Sequence, residues 1–345
     1  MPLFAPTEEN LRRAAQLLRA GELVAFPTET VYGLGANALD PLAVAKIYAA
    51  KGRPSHNPLI VHVPDKATAI ETVVAEWTET ADRLAEAFWP GGLTLVLPRR
   101  SEIPDIVTGG GNTVGVRVPA HSLAQRLLEW TGVPVAAPSA NRSLSISPTL
   151  AQHVEQSLGE YAPFILDGGA TSGGVESTVL LLTESPPRLL RPGLISPDEI
   201  ERVIGKIVRP SFGQKESQEV KQDMPPLSPG LLSRHYAPNA TLTLAKEDGE
   251  TEVRRLLKRG ERVGWLRMAS QDNKKEGETE LQGENANETL IFLSMPSNAI
   301  GYAARLFAAL YELDAAGVTQ IVVQKPPQGD PWLAVHDRLA RASTR

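Results

Sequence analysis

The chain has 345 residues, more than one hydrophobic core usually serves, so its length favours two domains. Apolar residues make up 42% of it and charged residues 22%, as in an average globular protein. The absence of cysteine excludes disulfides, thiolate catalysis and cysteine-ligated zinc or iron–sulfur sites. No apolar run approaches the roughly 18 residues of a membrane span, and Met1–Asn10 has no apolar signal core, so we expect a cytoplasmic protein with no membrane partner.

The charge balance bears on nucleic-acid binding. The whole chain has a net charge of −5, and residues 1–205 carry 16 Lys and Arg against 22 Asp and Glu. A domain that held nucleic acid mainly through its phosphates should be basic. We therefore expect weak or no direct binding of nucleic acid.

The amino-terminal part, residues 1–205, mixes helices and strands without a strict repeat. Predicted helices lie at 8–20, 41–51, 122–131, 149–158 and 197–204. Predicted strands lie at 23–26, 59–63, 93–98, 113–118, 133–137, 164–166 and 177–183. This order predicts an α/β domain with an open, twisted, mixed sheet.

The composition changes after residue 205. Residues 206–240 are polar and then proline-rich, which predicts a linker. Residues 241–345 again alternate predicted strands, at 241–245, 262–268, 289–295 and 320–326, with helices. They predict a smaller, Rossmann-like α/β domain.

The segment Gly33-Leu34-Gly35 resembles part of a dinucleotide fingerprint, but the match fails. No helix opens directly after these glycines, and no acid stands about 20 residues further on. We expect a tight loop that needs glycine backbone angles. The sequence also lacks a Walker-type phosphate loop, a His-Glu-x-x-His zinc motif and a Gly-x-Ser-x-Gly nucleophile elbow.

Lys51 and Arg53 flank a glycine at the end of a predicted helix. Lys51 lies on the same helical stripe as apolar residues, and Pro54 stiffens the turn that follows. Two alternatives remain open. Lys51 could stabilise the negative end of the helix dipole, or Lys51 and Arg53 could form a rigid pair of phosphate ligands. Neither side chain is expected to build the core, so the fold should survive the loss of either.

Three other polar positions stand out. Arg117 and His62 lie inside otherwise apolar strands, and Ser139-Ala140-Asn141 follows another. A buried arginine needs an anion, which could be a substrate carboxylate or a protein acid. His62 could equally be a satisfied core histidine, and the Ser-Ala-Asn segment could be a simple turn.

Several motifs, taken together and in order, resemble the YrdC-like family of threonylcarbamoyl-AMP synthases over about residues 8–205. They are Phe26–Leu34, Lys51-Gly52-Arg53-Pro54, Asn57-Pro58-Leu59, Ala137–Asn141 and Gly174–Thr178. The Ser228-Pro229-Gly230 and Arg234–Pro238 segments and the second domain resemble the long, two-domain form. Leu231-Leu232-Ser233 departs from the bulkier residues of that form.

The resemblance implies an activity. Members of the family make threonylcarbamoyl-AMP from L-threonine, bicarbonate and ATP and release pyrophosphate. The product feeds the N6-threonylcarbamoyl modification of adenosine 37 in tRNA through a downstream tRNA threonylcarbamoyl transferase. Magnesium would arrive on the ATP phosphates.

The resemblance also implies site residues. Lys51 and Arg53 would neutralise charge during catalysis. The residues implied to face ATP are Lys51, Arg53, Thr113, Ser139, Asn141, Ser147, Arg191, His235 and Tyr236. The residues implied to face threonine are Thr28, His62, Arg117, Ala137 and Ser177. The linker segment Ser228–Pro238 is expected to close over the site as a lid.

Two alternatives belong to other classes. The first is a double-stranded-RNA-binding module without catalysis, against which the acidic balance argues. The second is another carbamoyl transferase. Such enzymes carry either cysteine zinc fingers or a large metal-binding domain. This chain has no cysteine for the first, and the 105 residues after the linker are too few for the second.

Overall fold

The computed structural model describes residues 3–161, 164–209, 235–269 and 290–344. They divide into two compact units. The amino-terminal unit comprises Met1–Ser143, Pro148–Ser172 and Glu176–Leu231. The carboxy-terminal unit comprises Leu144–Ser147, Gly173–Val175 and Leu232–Arg345. Most of the predicted linker, residues 210–234, lies outside the described residues, and with it most of the expected lid.

The amino-terminal unit is built on a ten-stranded mixed sheet, which confirms the predicted fold class. Its strands are β1 (Leu3–Phe4), β2 (Val24–Phe26), β3 (Gly33–Asn37), β4 (Ile60–His62), β5 (Leu93–Pro98), β6 (Thr113–Arg117), β7 (Val135–Ala136), β8 (Ile165–Leu166), β9 (Thr178–Leu181) and β10 (Arg188–Arg191). Their spatial order is β1-β8-β2-β3-β7-β4-β6-β5-β9-β10.

Eight α-helices of this unit are described, and those beginning after Thr7 and Asp40 have the capping side chains that the sequence predicts. The eight helices are α1 (Glu8–Arg19), α2 (Pro41–Lys51), α3 (Lys66–Thr72), α4 (Glu79–Phe88), α5 (Asp105–Thr108), α6 (Ser122–Thr131), α7 (Ala151–Leu158) and α8 (Pro197–Ile204). The side chain of Asp40 accepts a hydrogen bond at the start of α2, and Gly52 ends that helix with φ of +61°. These local signals explain why the predicted bounds of α2 are correct.

The two faces of the central strands differ in character. Directly opposed residues of neighbouring strands share a face, so His62 lies beside Arg117 and beside Val135. The other face of the same strands, with Val61, Val116 and Ala136, belongs to the main hydrophobic core. We call the face that carries His62 and Arg117 the polar face. It lies between a core patch under α1 and α6 and a small cluster around Val179.

The prediction of a loop at Gly33–Gly35 is wrong, because these residues open strand β3, which pairs with β2 and β7. Neither glycine has a positive φ. Glycine is needed at position 35 for space instead: a Cβ there would lie 2.8 Å from the Phe26 ring and 2.9 Å from Val135.

The carboxy-terminal unit contains a four-stranded parallel sheet of order β11-β14-β12-β13, which confirms the predicted smaller α/β domain. Its strands are β11 (Thr241–Ala245), β12 (Val263–Met268), β13 (Leu290–Met295) and β14 (Gln320–Gln324), and its helices are α9 (Glu250–Leu257), α10 (Ala299–Ala315) and α11 (Leu333–Ala342). Among the described residues, no helix combines the length and the apolar character that a membrane crossing requires.

Candidate active site

Lys51 ends α2 inside the protein, with only 2% of its surface exposed. Its Nζ donates hydrogen bonds to the backbone carbonyl of Ser139, at 2.5 Å, and to that of Asn141. Burial lowers the pKa of the Lys51 ammonium well below its ordinary value, and Arg53 lowers it further, whereas Glu176 opposes both. Lys51 thus ties the end of α2 to the loop that follows β7.

Arg53 is also buried and also holds backbone. Its Nε donates to the carbonyl of Asn57 at 3.2 Å, and its Nη2 donates to that of Pro58 at 2.9 Å. The premise that neither side chain belongs to the core is wrong, because both are buried and donate to backbone carbonyls. Survival of the fold without either residue stays a prediction. Their predicted roles toward phosphate stay predictions.

Arg117 lies on the polar face with 3% of its surface exposed. Its Nε donates to the carbonyl of Gly91 at 3.0 Å, and its Nη1 donates to Thr30 Oγ1 at 2.9 Å. Its Nη2 lies 2.5 Å from Oε1 of Glu29. Of the two alternatives for Arg117, the salt bridge to a protein acid is present. The contact with a substrate carboxylate stays a prediction.

Glu29 lies in the loop between β2 and β3. Burial raises the pKa of its carboxyl, but the charge of Arg117 and hydrogen bonds from Arg117 and from the backbone of Glu29 and Ala120 together lower the pKa below its ordinary value. Its Oε2 accepts a hydrogen bond from the backbone N–H of Ala120 at 3.0 Å. Glu29 is therefore an ionised carboxylate at neutral pH.

Thr28, in the same loop, is buried and stabilises the turn. Its hydroxyl lies 2.8 Å from that of Thr30 and donates to the carbonyl of Val31 at 2.7 Å. The hydroxyl also accepts from the backbone N–H groups of Thr30 and Val31. The turn thus brings Thr30 within reach of Arg117.

His62 is buried beside Arg117, with its ring edge-on to Phe26 at a centroid distance of 6.4 Å. Burial and the neighbouring Arg117 charge lower the pKa of the imidazole to about 3, so the ring is neutral at physiological pH. Within the described part of the chain, its Nδ1 has no hydrogen-bond partner. The two alternatives for His62, a core histidine and a ligand contact, therefore both stay predictions.

Ser177 and Arg191 form another corner of this unit. Arg191 donates from Nε to the carbonyl of Ser177 and from Nη2 to its hydroxyl, each at 3.1 Å. The Ser177 hydroxyl lies 2.8 Å from that of Thr94, which occupies β5 opposite Val179. Gly193 packs so closely here that a Cβ would lie 2.3 Å from the backbone nitrogen of Thr178.

The remaining predicted residues of this unit line the sheet. Ala137 follows β7 and donates its N–H to the carbonyl of Ile60, and Ser139 forms a bridge with Gly33. Thr113 begins β6, on the same face as Arg117. The structure therefore places Ala137 and Thr113 on the face that carries Arg117 and His62.

Ser147, His235 and Tyr236 belong to the carboxy-terminal unit. Tyr236 adopts a left-handed backbone with φ of +61°, and its buried ring stacks on Phe307 at 5.5 Å. The Arg338 guanidinium lies 5.2 Å from the centroid of the same ring. This cation–π contact offsets part of the cost of the strained backbone. The nucleotide contacts predicted for Ser147, His235 and Tyr236 stay predictions.

Sequence reasoning missed three residues that the structure joins to the site. Glu29 and Thr30 contact Arg117, and Glu176 interacts electrostatically with Lys51. All three lie in motifs that the sequence displays. The only signal for Glu29 was general: a buried arginine requires an anion, and Glu29 is the acid of the Phe26–Leu34 motif. Because that motif is distant from Arg117 in the chain, only the fold shows that the two residues pair.

The arrangement offers buried cations and fixed polar groups rather than a metal cage. Lys51, Arg53, Arg117 and Arg191 are all buried in the amino-terminal unit. Across the described ranges, no group of three or more His, Asp or Glu side chains could hold a metal ion. Such a site suits the binding and alignment of anionic substrates.

Two family models match consecutive parts of the chain. The Sua5/YciO/YrdC family model, whose description is telomere recombination, matches residues 16–193. The model described as the threonylcarbamoyl-AMP synthase C-terminal domain matches residues 195–344. The two models together span both units.

Relatives match over nearly the whole chain. The threonylcarbamoyl-AMP synthase of Pyrococcus abyssi is 44% identical over 337 residues, which cover 97% of this chain and 94% of the relative. That of Bacillus subtilis is 40% identical over 345 residues, covering 99% and 94%. The crystal structure of P. abyssi Sua5 complexed with L-threonine superposes with a TM-score of 0.87 at 40% identity, covering 99% of this chain and 98% of that one. The chain belongs to the Sua5/YciO/YrdC family, in the two-domain form with a Sua5-type carboxy-terminal domain.

Proposed function

We propose that this protein is a nucleotidyltransferase that makes L-threonylcarbamoyl-AMP from L-threonine, bicarbonate and ATP, with release of pyrophosphate. Two near-full-length relatives bear the name of this activity. The observation that carries the proposal is the buried Arg117 on the polar face, beside an unpartnered His62 Nδ1. An arginine fixed in this way is suited to an amino-acid carboxylate.

The chemistry needs positioning more than it needs a nucleophilic side chain. Bicarbonate takes up a proton and loses water to give carbon dioxide, and the neutral threonine amine adds to it and releases a proton, which gives a carbamate. A carbamate oxygen then attacks the α-phosphorus of ATP, and the bond to the departing pyrophosphate breaks. Alignment and stabilisation of developing charge supply most of the acceleration of such a step. In this proposal Lys51 and Arg53 neutralise the charge of the phosphates, and Arg191 contacts the nucleotide.

The substrates divide between predicted sets of residues. Thr113, Ser139 and Asn141 would complete the ATP contacts within the amino-terminal unit. Thr28, His62, Ala137 and Ser177 would surround threonine. Magnesium would enter as MgATP and stay on the phosphates, since the described residues offer no acidic cluster for it.

The chemical instability of the product indicates that it is passed on directly after it forms. A mixed anhydride of carbamate and phosphate hydrolyses readily, so we propose transfer to a downstream tRNA threonylcarbamoyl transferase that modifies adenosine 37. This places the protein in the cytoplasm, where tRNA is modified. The acidic balance of residues 1–205 supports a protein that hands on its product without binding tRNA tightly.

An omission assay tests the proposal. Pyrophosphate release should require L-threonine and bicarbonate together, and serine should support it less well. A methyl group lost from a pocket is worth roughly 1 kcal/mol or more, so the rate with serine should fall several-fold. Equal release without any amino acid would contradict the proposal.

A further inference from the structure

One face of helix α10 carries Ala303, Phe307 and Tyr311, which follow one another at intervals of four residues. We call it the Tyr311 face. The opposite face packs on the parallel sheet so closely that a Cβ at Gly264 would lie 2.8 Å from the side chain of Leu313. Helix α10 is therefore held firmly against the sheet of its own unit.

Three segments of the carboxy-terminal unit contact the Tyr311 face. The Tyr311 hydroxyl donates a hydrogen bond to the backbone carbonyl of Ile146 at 2.9 Å. The Tyr236 ring stacks on Phe307 with 5.5 Å between the ring centroids. Gly174 packs so closely that a Cβ there would lie 2.3 Å from a backbone carbonyl oxygen of α10. The helix thus supports segments that are distant from one another along the chain.

The Ile146 carbonyl belongs to a loop that carries predicted ATP contacts. We call residues 139–147, which follow strand β7, the β7 loop. Its predicted ATP contacts are Ser139, Asn141 and Ser147. The beginning of this loop is tied to the end of α2 by two hydrogen bonds.

The end of the β7 loop is fixed by its backbone. The carbonyl of Leu144 accepts a hydrogen bond from the N–H of Ala237 at 3.0 Å. The carbonyl of Ile146 accepts the bond from the Tyr311 hydroxyl. Because a peptide unit is planar, this bond also sets the direction of the Ser147 N–H and of the backbone that carries the Ser147 side chain.

We propose that Tyr311 is a positioning residue for ATP, which orients the Ile146–Ser147 peptide and, through it, the predicted ATP contact of Ser147. A binding side chain must be held to within about 0.5 Å by its supports, and a directed hydrogen bond to the adjoining backbone supplies such support. This inference rests on the proposed function for the identity of the nucleotide. It gives the carboxy-terminal unit a part in ATP binding.

The Tyr311→Phe variant tests this, because it keeps the ring and removes only the hydroxyl. At saturating L-threonine and bicarbonate, its KM for ATP should rise by about 3-fold to 10-fold, as the loss of one neutral hydrogen bond predicts. The kcat and the KM for L-threonine should stay within about 2-fold of the wild type, because the variant loses uniform binding of ATP. General loosening of the fold would change all three constants.

Tyr302→Phe is the matched control, on the same helix and with the same chemical change. The buried Tyr302 ring lies edge-on to Trp332 at a centroid distance of 5.6 Å. Its hydroxyl has no hydrogen-bond partner in the part of the chain that the structure describes. Removal of this hydroxyl should leave kcat and both KM values at the wild-type level.

A double-mutant cycle with Ser147→Ala tests the route. Ser147→Ala alone should raise the KM for ATP. Adding Tyr311→Phe to it should raise that KM by less than about 2-fold further, because coupled residues have non-additive effects. The full effect of Tyr311→Phe in the Ser147→Ala background would show that Tyr311 acts independently of Ser147 and would overturn the inference.

The remaining outcomes separate the inference from the proposed function. A wild-type KM for ATP in either Tyr311→Phe or Ser147→Ala overturns the inference, as does an equal rise of both KM values in Tyr311→Phe. The proposed function then stands, provided that the wild-type protein releases pyrophosphate in the presence of L-threonine and bicarbonate. Absence of that release overturns the proposed function and the inference together.

Discussion

Lys51 places an ammonium group where an apolar helix stripe meets the core. Burying such a group is costly unless hydrogen bonds compensate, and here the carbonyls of Ser139 and Asn141 do so. The sequence marked Lys51 as unusual because it closes an apolar stripe. It could not show the two carbonyl partners, since they lie 88 and 90 residues away along the chain.

Substitution of the two cations should therefore affect both rate and stability. Lys51→Ala and Arg53→Ala should each lower turnover by about 100-fold or more, as loss of a charge contact in the transition state commonly does. Each should also lower the free energy of unfolding by about 1–3 kcal/mol, because buried carbonyls lose their donors. Steady-state kinetics and chemical denaturation measure the two effects.

The control for this pair is Lys46→Ala, on the same helix. Lys46 is half-exposed and forms a salt bridge with Glu22 at 2.8 Å, so its loss should change both quantities little. Full turnover in both the Lys51 and Arg53 variants would assign these residues a structural role alone.

His62 predicts a pH dependence of stability. The folded-state pKa of about 3 lies below the ordinary 6.5, so the unfolded chain binds a proton that the folded protein does not. Stability from this residue is complete above about pH 6.5 and is lost as the pH falls toward about 3. Between about pH 7 and pH 4.5 the loss should be about 2–3 kcal/mol.

Comparison with His62→Gln isolates this contribution. The variant should lose about 2–3 kcal/mol less than the wild type over the same pH interval. His56→Gln, which replaces an exposed histidine, should follow the wild type. Identical pH dependence in the wild type and His62→Gln would show that His62 is not held neutral in the folded state.

At the scale of elements, local signals predicted the helices better than the site strands. Asp40, Pro41 and Gly52 bound α2 because capping is a local property of the chain. Strand β3 was missed because glycine usually indicates a turn. Gly35 is needed instead because Phe26 and Val135 approach it closely, and only the folded sheet brings these residues together.

The strand after Ser177 and the turn after Arg191 form a tightly packed pair. A methyl group at Gly193 would lie 2.3 Å from the backbone nitrogen of Thr178, so Gly193→Ala must displace one segment. Overpacking of this kind costs about 1–3 kcal/mol. We expect a lower Tm and a raised KM for ATP, measured by calorimetry and initial rates.

Gly92→Ala is the matched control, because a Cβ there meets nothing closer than the Thr30 methyl at 3.7 Å. It should keep the wild-type Tm and KM. A Gly193→Ala variant that behaves like Gly92→Ala would contradict the tight packing of this corner.

At the scale of the whole molecule, the sequence predicted a larger α/β domain with a mixed sheet and a smaller, Rossmann-like α/β domain. The structure confirms both. It did not predict that Leu144–Ser147 and Gly173–Val175 group with the carboxy-terminal unit. The pairing of Ser145 with Ala237 joins distant parts of the chain and leaves no periodic or compositional signal. Non-local contacts of this kind also decided which acid pairs with Arg117.

The proposed reaction joins three substrates into one carbamoyl adenylate. Mass spectrometry of a reaction with ATP, L-threonine and carbon-13 bicarbonate tests it directly. The account predicts a product that contains AMP, one threonine and one carbon-13 atom, formed together with pyrophosphate. A threonine–AMP adduct without the label, or pyrophosphate formed without any threonine adduct, would contradict it.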